Sequence, residues 1–241
     1  LCESIFVNYL LCKCDIAPLT GVLSFAAKSE LRLDGDKLNG VLHDVPWGRY
    51  TQHIIAVVPK DDCNHLVVLS REQIKIRKEA CNVAGEARDS FVVENISPVF
   101  CAVLPAPISS NVLMQGGAML RSAQMAGAMH KAMTISHEYA SERVQFGRPI
   151  GSFQAIQHQL AQMAEHVSAS VIAAEAGFSA SSDTIDVLGV STAKICTSEA
   201  AGVGASIAHA VHGAIGFSNN QGEISWISSI SGSLLLVFNI L

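Results

Sequence analysis

The chain has 241 residues, which is enough for one large domain or two smaller ones with a sizeable core. Its 16 Lys and Arg against 21 Asp and Glu give a formal net charge of −5, which argues against nucleic-acid binding because no basic surface is left to neutralise a phosphate backbone. Charged residues make up only 15% of the chain and hydrophobic residues 49%, a balance that excludes a disordered protein and indicates surface buried against a second copy or a partner.

The cysteine pattern argues against both a disulfide scaffold and a zinc site. The seven cysteines, an odd number, lie at positions 2, 12, 14, 63, 81, 101 and 196, with no CxxC pair and no Cys/His cluster at metal-binding spacing. We therefore predict reduced, mostly buried thiols in a cytoplasmic protein, and no metal site. The chain opens Leu1-Cys2-Glu3, with neither a starting Met nor the basic segment of a signal peptide, so we expect that this is not a natural start.

The first half of the chain predicts one short helix followed by a sheet. Residues 4–14 have an apolar helical face and end before Pro18 and Gly21, which favours a single closing helix. From residue 21 to about residue 105, short β-type runs alternate with turn residues, and the runs are 31–33, 54–58, 65–69, 73–77 and 90–93. Asp34-Gly35-Asp36 and Asn39-Gly40 are hairpin signals. This spacing predicts a compact antiparallel sheet or barrel.

The second half predicts long helices. Residues 110–141, 152–176 and 186–211 show helical periodicity and are rich in small residues, which allow helices to approach closely, so we expect a bundle of long antiparallel helices. Residues 225–241 carry no charge but are shorter than the roughly 20 apolar residues that a membrane span needs. We predict no membrane span there but a buried or subunit-facing helix, with a membrane anchor as the alternative.

A turn between the first two long helices holds the most informative residues. Gly147 and Pro149 force the chain to reverse. Around them, Arg143 is a candidate bidentate clamp for a diphosphate, Phe146 a flat apolar surface, and Gln154 a donor and acceptor for an amide or ribose. Each has a structural alternative: Arg143 as a solvated C-terminal cap, Phe146 as a core residue and Gln154 as a substitute for an N-terminal cap.

Two motifs resemble the acyl-CoA dehydrogenase family. The block from Arg143 to Ala161, Arg-x-x-Phe-Gly-x-Pro-Ile-x-x-Phe-Gln-x-x-Gln-His-x-Leu-Ala, resembles the turn between the first two helices of that family's C-terminal domain. The segment His212-Gly213-Ala214-Ile215-Gly216-Phe217 is similar to its Gly-rich turn after the third helix. The resemblance implies an α+β fold, with an antiparallel β middle domain followed by a C-terminal long-helix domain, a four-helix bundle. The implied domains are residues 1–20, the end of an N-terminal helical domain, then 21–105 and 106–241.

The resemblance also implies an FAD site shared between subunits. In the family, the Arg and Phe that match Arg143 and Phe146 reach the FAD of a neighbouring subunit, and the Gln that matches Gln154 meets its adenosine side. The Gly pair that matches Gly213 and Ala214 lets the backbone approach the cofactor across the dimer interface, where a side chain would block it.

The chain departs from the family at several of these contacts. Ala214 replaces the second Gly, and Ala210 stands where the family usually has Gln. The family's strand ending in Trp-Ile-Thr, which covers the flavin ring, is replaced by Asp44-Val45-Pro46 followed by Trp47. Because Pro46 has no N–H to donate, we expect the flavin contact to come from neighbouring backbone or from Trp47, with sheet packing as the alternative role of Trp47. Val-Pro-Trp-Gly resembles a divergent, shorter bacterial branch, some members of which work as half of a two-gene dehydrogenase.

The residues that the family uses as a catalytic base are missing from this sequence. Desaturation of an acyl thioester needs a carboxylate that takes the α-proton while the β-hydrogen leaves as hydride. The family places this Glu directly before the Arg that matches Arg121, where this chain has Leu120, or in a later Glu-Gly-Thr turn, where residues 234–241 hold no acid. Glu223 comes too early, so the catalytic residue stays unassigned. Either a partner chain supplies the Glu, or the intact protein carries it beyond a divergent or truncated C-terminus.

The resemblance therefore favours FAD-dependent α,β-desaturation of an acyl-CoA thioester in fatty acid metabolism, by a homo- or hetero-oligomer that is a dimer or tetramer. The alternative is a non-catalytic FAD-holding or scaffold subunit of a hetero-oligomeric acyl-CoA dehydrogenase. A third hypothesis is an interaction protein that binds no flavin.

Overall fold

The computed structural model describes residues 2–82, 85–181 and 184–213. Its contacts divide the chain into two compact units, Leu1–Gly117 and Ala118–Leu241. Each unit has a separate hydrophobic core, one built from strands and the other from helices.

The first unit opens with helix α1, Cys2–Lys13, as the sequence predicts. One face of α1 buries Phe6, Val7, Leu10 and Leu11. The segment after α1 is held by Asn8, whose side-chain amide donates to the Leu19 carbonyl and whose oxygen accepts from the Leu19 N–H, at 3.1 and 2.8 Å. Two hydrogen bonds from one amide therefore fix where the chain enters the sheet.

Eight strands form two four-stranded sheets. The strands are β1 Leu23–Phe25, β2 Lys28–Asp34, β3 Lys37–Pro46, β4 His53–Lys60, β5 Cys63–Ser70, β6 Lys75–Lys78, β7 Arg88–Ile96 and β8 Phe100–Val103. Their orders are β1-β4-β5-β8 and β2-β3-β7-β6. Buried residues of both sheets, including Leu42, Phe91, Ile54 and Val67, form one shared core, so the sheets pack face to face. The β-rich middle region is confirmed, with the difference that β1 pairs with β4 in parallel.

The two hairpin signals have different outcomes. Asp34-Gly35-Asp36 joins β2 to β3, as predicted, and Gly35 has a φ of +64°. The prediction for Asn39-Gly40 is wrong, because both residues lie inside β3 at a break in the register with β7. Gly40 has a φ of +137°, and a Cβ there would collide with the Glu30 carbonyl. The glycine therefore serves a β-bulge and a close strand contact rather than a turn.

Three long helices follow the strands: α2 Val112–Glu142, which begins in the first unit and continues into the second, α3 Gln154–Ser179 and α4 Val187–His212. Each lies within three residues of its predicted bounds. A Cβ on Gly177 would lie 3.1 Å from the Gly189 carbonyl oxygen, and one on Gly204 would lie 2.8 Å from the Met129 sulfur. Small residues thus let the helices pack closely, and the α+β fold class of antiparallel sheets plus long helices is confirmed.

The cysteines confirm one part of their prediction and contradict the other. All seven lie in the described residues, and no disulfide links them there. The prediction of burial is wrong, because Cys12, Cys63, Cys81 and Cys101 are exposed and the remaining three are half-buried. None of the seven belongs to either hydrophobic core.

Two predictions fall outside the described residues: the helix over 225–241 and the role of Ala214. Of the helices that the structure does describe, none combines the length and apolar character needed to cross a bilayer.

Candidate functional site

A hairpin joins α2 to α3 and carries two of the candidate residues. Strands β9, Val144–Gln145, and β10, Arg148–Pro149, pair with Gln145 opposite Arg148. The two residues between them, Phe146 and Gly147, have φ values of +54° and +79°, the pattern of a type I′ turn. The reversal predicted at this point is confirmed.

Phe146 lies at the tip of the hairpin, and its side chain is 94% exposed. The first central position of such a turn favours Asn, Asp or Gly, and the left-handed backbone costs other residues about 1 kcal/mol. The ring meets Phe153 edge-on, with centroids 6.2 Å apart. The alternative interpretation of Phe146 as a core residue is therefore wrong: an apolar side chain is held in solvent on an unfavourable backbone, which is typical of a functional site.

Arg143 is the first residue after α2. Its N–H donates to the Tyr139 carbonyl at 2.9 Å, and its own carbonyl accepts from the Ile150 N–H at 2.8 Å. The backbone is thus fixed from both sides of the hairpin, whereas the side chain is exposed. Within the described ranges, the guanidinium has no carboxylate partner. This placement fits an anion clamp and a solvated cap equally well.

Gln154 is the first residue of α3 and is exposed. The N-cap position is taken by Phe153, which has no side-chain cap bond. The alternative role of Gln154 as a cap substitute is therefore wrong, and its amide is left facing outward at the helix start.

Gly213 follows the last residue of α4 and has φ +60° and ψ −139°. That region of backbone space is essentially restricted to glycine. The Gly213 N–H donates to the His209 carbonyl, and the residue is exposed. A ligand that approaches the backbone at Gly213 would therefore meet no side chain of this residue.

The structure brings the Gly213 turn and the Arg143 hairpin together. His212 stacks on Tyr139, with ring centroids 4.6 Å apart and an interplanar angle of 27°. Tyr139 is the residue whose carbonyl holds the Arg143 N–H. Two candidates that lie 70 positions apart in the sequence are therefore joined through one pair of rings.

Trp47 belongs to the first unit and also has a left-handed backbone, with φ +56° and ψ +20°. It precedes a short 3₁₀ helix, Gly48–Tyr50, and its side chain is 38% exposed. Its N–H donates to the Ala87 carbonyl at 2.9 Å, and its ring lies 6.4 Å from that of Tyr50. More than half of Trp47 is buried, which fits a packing role, and the exposed remainder is large enough for a ligand to contact. The structure is therefore compatible with both interpretations of Trp47.

Sequence reasoning missed the ion pair behind Trp47. Arg49 bonds Asp89 through Nε, through a side-chain amino group at 2.6 Å and through its backbone N–H at 2.9 Å. Burial by itself raises the pKa of the Asp89 carboxyl, but the hydrogen bonds from Arg49 and from the Ala80 N–H outweigh it, so the net pKa is lowered. The same bonds raise the pKa of Arg49. The sequence did contain a signal for a buried carboxylate, because Asp89 lies on the same face of strand β7 as the buried Phe91 and Val93.

No carboxylate of α2 or α3 takes the place of the missing base. Leu120 is half-buried in the first third of α2. Glu138, Glu142 and Glu165 lie on helices and are exposed, as predicted for an ordinary solvated face.

Comparison with known proteins identifies the family of the second half of the chain. The family model "Acyl-CoA dehydrogenase, C-terminal domain" matches residues 109–230. Over 98 residues the chain is 36% identical to acyl-CoA dehydrogenase IpdE2 of Mycobacterium tuberculosis, covering 41% of this chain and 30% of that protein. The chain thus spans about a third of the length of the curated relative.

Solved structures share the fold across nearly the whole chain. The ChsE4-ChsE5 complex of M. tuberculosis matches with a TM-score of 0.77 at 19% identity, covering 90% of this chain and 63% of that one. A glutaryl-CoA dehydrogenase of Mycobacterium smegmatis in complex with FADH2 matches with a TM-score of 0.72 at 17% identity, covering 89% and 61%. The sheets and helices are therefore arranged as in these proteins.

Proposed function

Because this chain belongs to the acyl-CoA dehydrogenase family, we propose that it is a flavoprotein subunit that holds FAD at its boundary with a neighbouring chain and takes part in the α,β-desaturation of an acyl-CoA thioester. The observation that carries this proposal is the exposed hairpin. It presents an arginine without a carboxylate partner among the described residues and an aromatic ring that is 94% exposed.

The residue types fit the cofactor. The planar guanidinium of Arg143 can bind a diphosphate through two parallel hydrogen bonds, which a lysine could not do. Phe146 offers a flat apolar face, and the Gln154 amide can donate to and accept from a ribose or adenine. Gly213 leaves room for a phosphate to meet backbone N–H groups. We also assign Ala214 a backbone contact with the cofactor, although it carries a Cβ where the family has its second Gly, and we propose separately that Trp47 of the first unit contacts a flavin ring.

FAD, when bound, supplies the acceptor for the β-hydride. The α-proton needs a carboxylate within hydrogen-bond reach, and neither Leu120 nor the exposed glutamates of α2 and α3 meets that need. The described residues therefore bind and orient the cofactor. The base comes from a partner chain or from residues outside those described.

A second candidate function is a non-catalytic FAD-holding or scaffold subunit of a hetero-oligomeric acyl-CoA dehydrogenase. Leu120 in the position of the family's Glu is the observation that favours it. The fold shared with a complex of two differently named chains, ChsE4 and ChsE5, supports a hetero-oligomer as the assembly.

We propose further that the chain comprises the end of an N-terminal helical domain over 1–20, a middle β domain over 21–105 and a C-terminal helical domain over 106–241. The assembly is a homo- or hetero-oligomer, a dimer or tetramer, located in the cytoplasm.

The flavin spectrum of the purified protein tests the proposal. The chain is expressed alone and together with each acyl-CoA dehydrogenase-like neighbour in its genome, and bound FAD is measured by absorption. We expect a yellow protein in at least one pairing. A colourless protein that cannot be loaded with FAD in any pairing would contradict the proposed function.

Reduction of ferrocenium by acyl-CoA then separates the two candidates. Activity of the FAD-loaded chain alone supports a catalytic subunit. Activity that appears only with the partner, and survives replacement of each glutamate of this chain by Gln, supports the scaffold subunit.

A further inference from the structure

Tyr139 and His212 come from different helices and lie between two parts of the candidate site. Tyr139 is one turn before the end of α2, and His212 is the last residue of α4. Their rings stack at 4.6 Å with an angle of 27°, inside the helical core. His212 is only 3% exposed, so the stack is a packed contact and not a surface encounter.

The stack is tied to the hairpin through the backbone on its Tyr139 side. The Tyr139 carbonyl accepts the Arg143 N–H at 2.9 Å. The next residue, Ala140, is buried, and a Cβ on Gly151 would lie 3.0 Å from its carbonyl oxygen. Both arms of the hairpin therefore rest on the Tyr139–Ala140 segment. The residue that carries the ring thus also holds the Arg143 backbone through its own carbonyl.

On the other side, the stack is tied to the Gly213 turn. His212 Nδ1 lies 2.8 Å from the Ala208 carbonyl, which can only accept, so Nδ1 carries the proton. The other ring nitrogen, Nε2, is buried with no hydrogen-bond partner among the described residues. Apart from the bond at Nδ1, the contact that the described residues show for the His212 ring is therefore its stack on Tyr139.

We propose that Tyr139 and His212 are positioning residues: their stack fixes the Arg143 hairpin against the Gly213 turn, so that one pair of rings sets both protein edges of the nucleotide site. This inference rests on the proposed FAD site. It assigns a role to two residues whose side chains are not themselves proposed to contact the cofactor.

The test compares variants that keep or remove the flat rings. His212→Leu and Tyr139→Leu keep apolar bulk but lose the stack, whereas His212→Phe and Tyr139→Phe retain it. Met163→Ala, in the same core on α3, is the matched control for general loss of stability. For each full-length protein, in its FAD-binding assembly, we measure the FAD dissociation constant, the melting temperature, and hydrogen exchange at the Arg143 and Ile150 amides.

We expect the Leu variants to weaken FAD binding about tenfold, the size expected for a stacked pair, and to speed exchange at both amides. The Phe variants should restore both properties. Met163→Ala should lower the melting temperature, but the molecules of this variant that are folded should bind FAD as tightly as the unmodified protein does.

Two results would overturn the inference: unchanged exchange at Arg143 and Ile150 in the Leu variants, or an equal loss of FAD affinity in Met163→Ala. If the unmodified protein binds no FAD in any assembly, the proposed function fails. The exchange measurements still decide whether the stack holds the hairpin.

Discussion

Trp47 and Phe146 share a left-handed backbone conformation, but the surrounding structure stabilises Trp47 through many contacts and Phe146 through few. Both are aromatic residues with φ near +55°, a conformation that costs an L-residue about 1 kcal/mol. Around Trp47, the 3₁₀ turn is anchored by the Arg49–Asp89 ion pair, by the ring of Phe91 beneath Gly48 and by a hydrogen bond to Ala87. Among the described residues, Phe146 is supported only by a short hairpin and by the edge of the Phe153 ring.

The difference shows that an aromatic residue with a left-handed backbone can be stabilised in two ways. At Trp47 the interior of the fold dictates the backbone, so the strain is compatible with a packing role. At Phe146 nothing in the described part of the chain, apart from the edge of Phe153, packs on a phenylalanine that is 94% exposed, which is compatible with a contact to a ligand, to another chain or to residues outside those described. Four experiments sharpen or break this comparison.

The largest expected effect is at the anchor of the Trp47 turn. Asp89→Ala removes a fully buried carboxylate and leaves the Arg49 guanidinium without its main partner. We expect a loss of about 3 kcal/mol in the free energy of unfolding, because a charged hydrogen-bonded partner is lost from a buried site. Urea unfolding measures it. Arg143→Ala, an exposed arginine in the hairpin, is the control and should change stability by less than about 0.5 kcal/mol.

Acid should remove the same contribution. The folded-state pKa of Asp89 is lowered, so its stabilising effect is present above the unfolded-state pKa and is lost as pH falls through the folded value. The stability gap between the unmodified protein and Asp89→Asn should therefore close in acid and be constant near neutrality. A gap that persists at the lowest pH at which the protein still folds would show that charge at Asp89 is not what holds the turn.

Gly48→Ala should strain the packing under Trp47. The added Cβ would lie 2.6 Å from the ring of Phe91, which is fully buried and cannot yield. We expect about 2 kcal/mol of destabilisation from overpacking. Gly127→Ala on α2, where an added Cβ meets nothing within 4 Å, is the matched control and should stabilise by up to about 1 kcal/mol. Equal effects at the two glycines would contradict the packing around Phe91.

The smallest expected effect is at Phe146, where the sign of the stability change distinguishes a packing role from a ligand-binding role. Phe146→Asn should stabilise the protein by about 0.5 to 1 kcal/mol, because Asn accepts the left-handed backbone and no buried surface is lost. Trp47→Asn should destabilise it, since more than half of the indole is buried. Thermal unfolding of the two variants measures the difference. Loss of stability in both would mean that Phe146, too, is held for packing.

The sequence predicts the elements well because periodicity and turn residues act locally. The three long helices and five of the eight sheet strands lie close to where the pattern places them, whereas β1, β3 and β8 correspond to no predicted run. The Arg143 hairpin reverses at Gly147 as expected. Asn39-Gly40 misleads because the same dipeptide suits a tight turn and a bulge, and only the approach of Glu30 decides between them. A single sequence does not contain that contact.

The site is predicted in part for the same reason. Arg143, Phe146, Gln154 and Gly213 stand out as residue types in a motif, and the structure exposes all four. The Arg49–Asp89 pair and the Tyr139–His212 stack join residues 40 and 73 positions apart, so neither follows from local pattern. The supporting contacts therefore require the fold, whereas the exposed residues do not.

The central claim is that Arg143 binds the nucleotide part of an FAD. The most direct measurement is FAD titration of the assembled protein carrying Arg143→Ala, beside Arg143→Lys and the control Arg32→Ala, an exposed arginine on β2. The account predicts that Arg143→Ala weakens FAD binding at least about tenfold, with partial recovery in Arg143→Lys and no change in Arg32→Ala. Equal FAD affinity in Arg143→Ala and Arg32→Ala would contradict it.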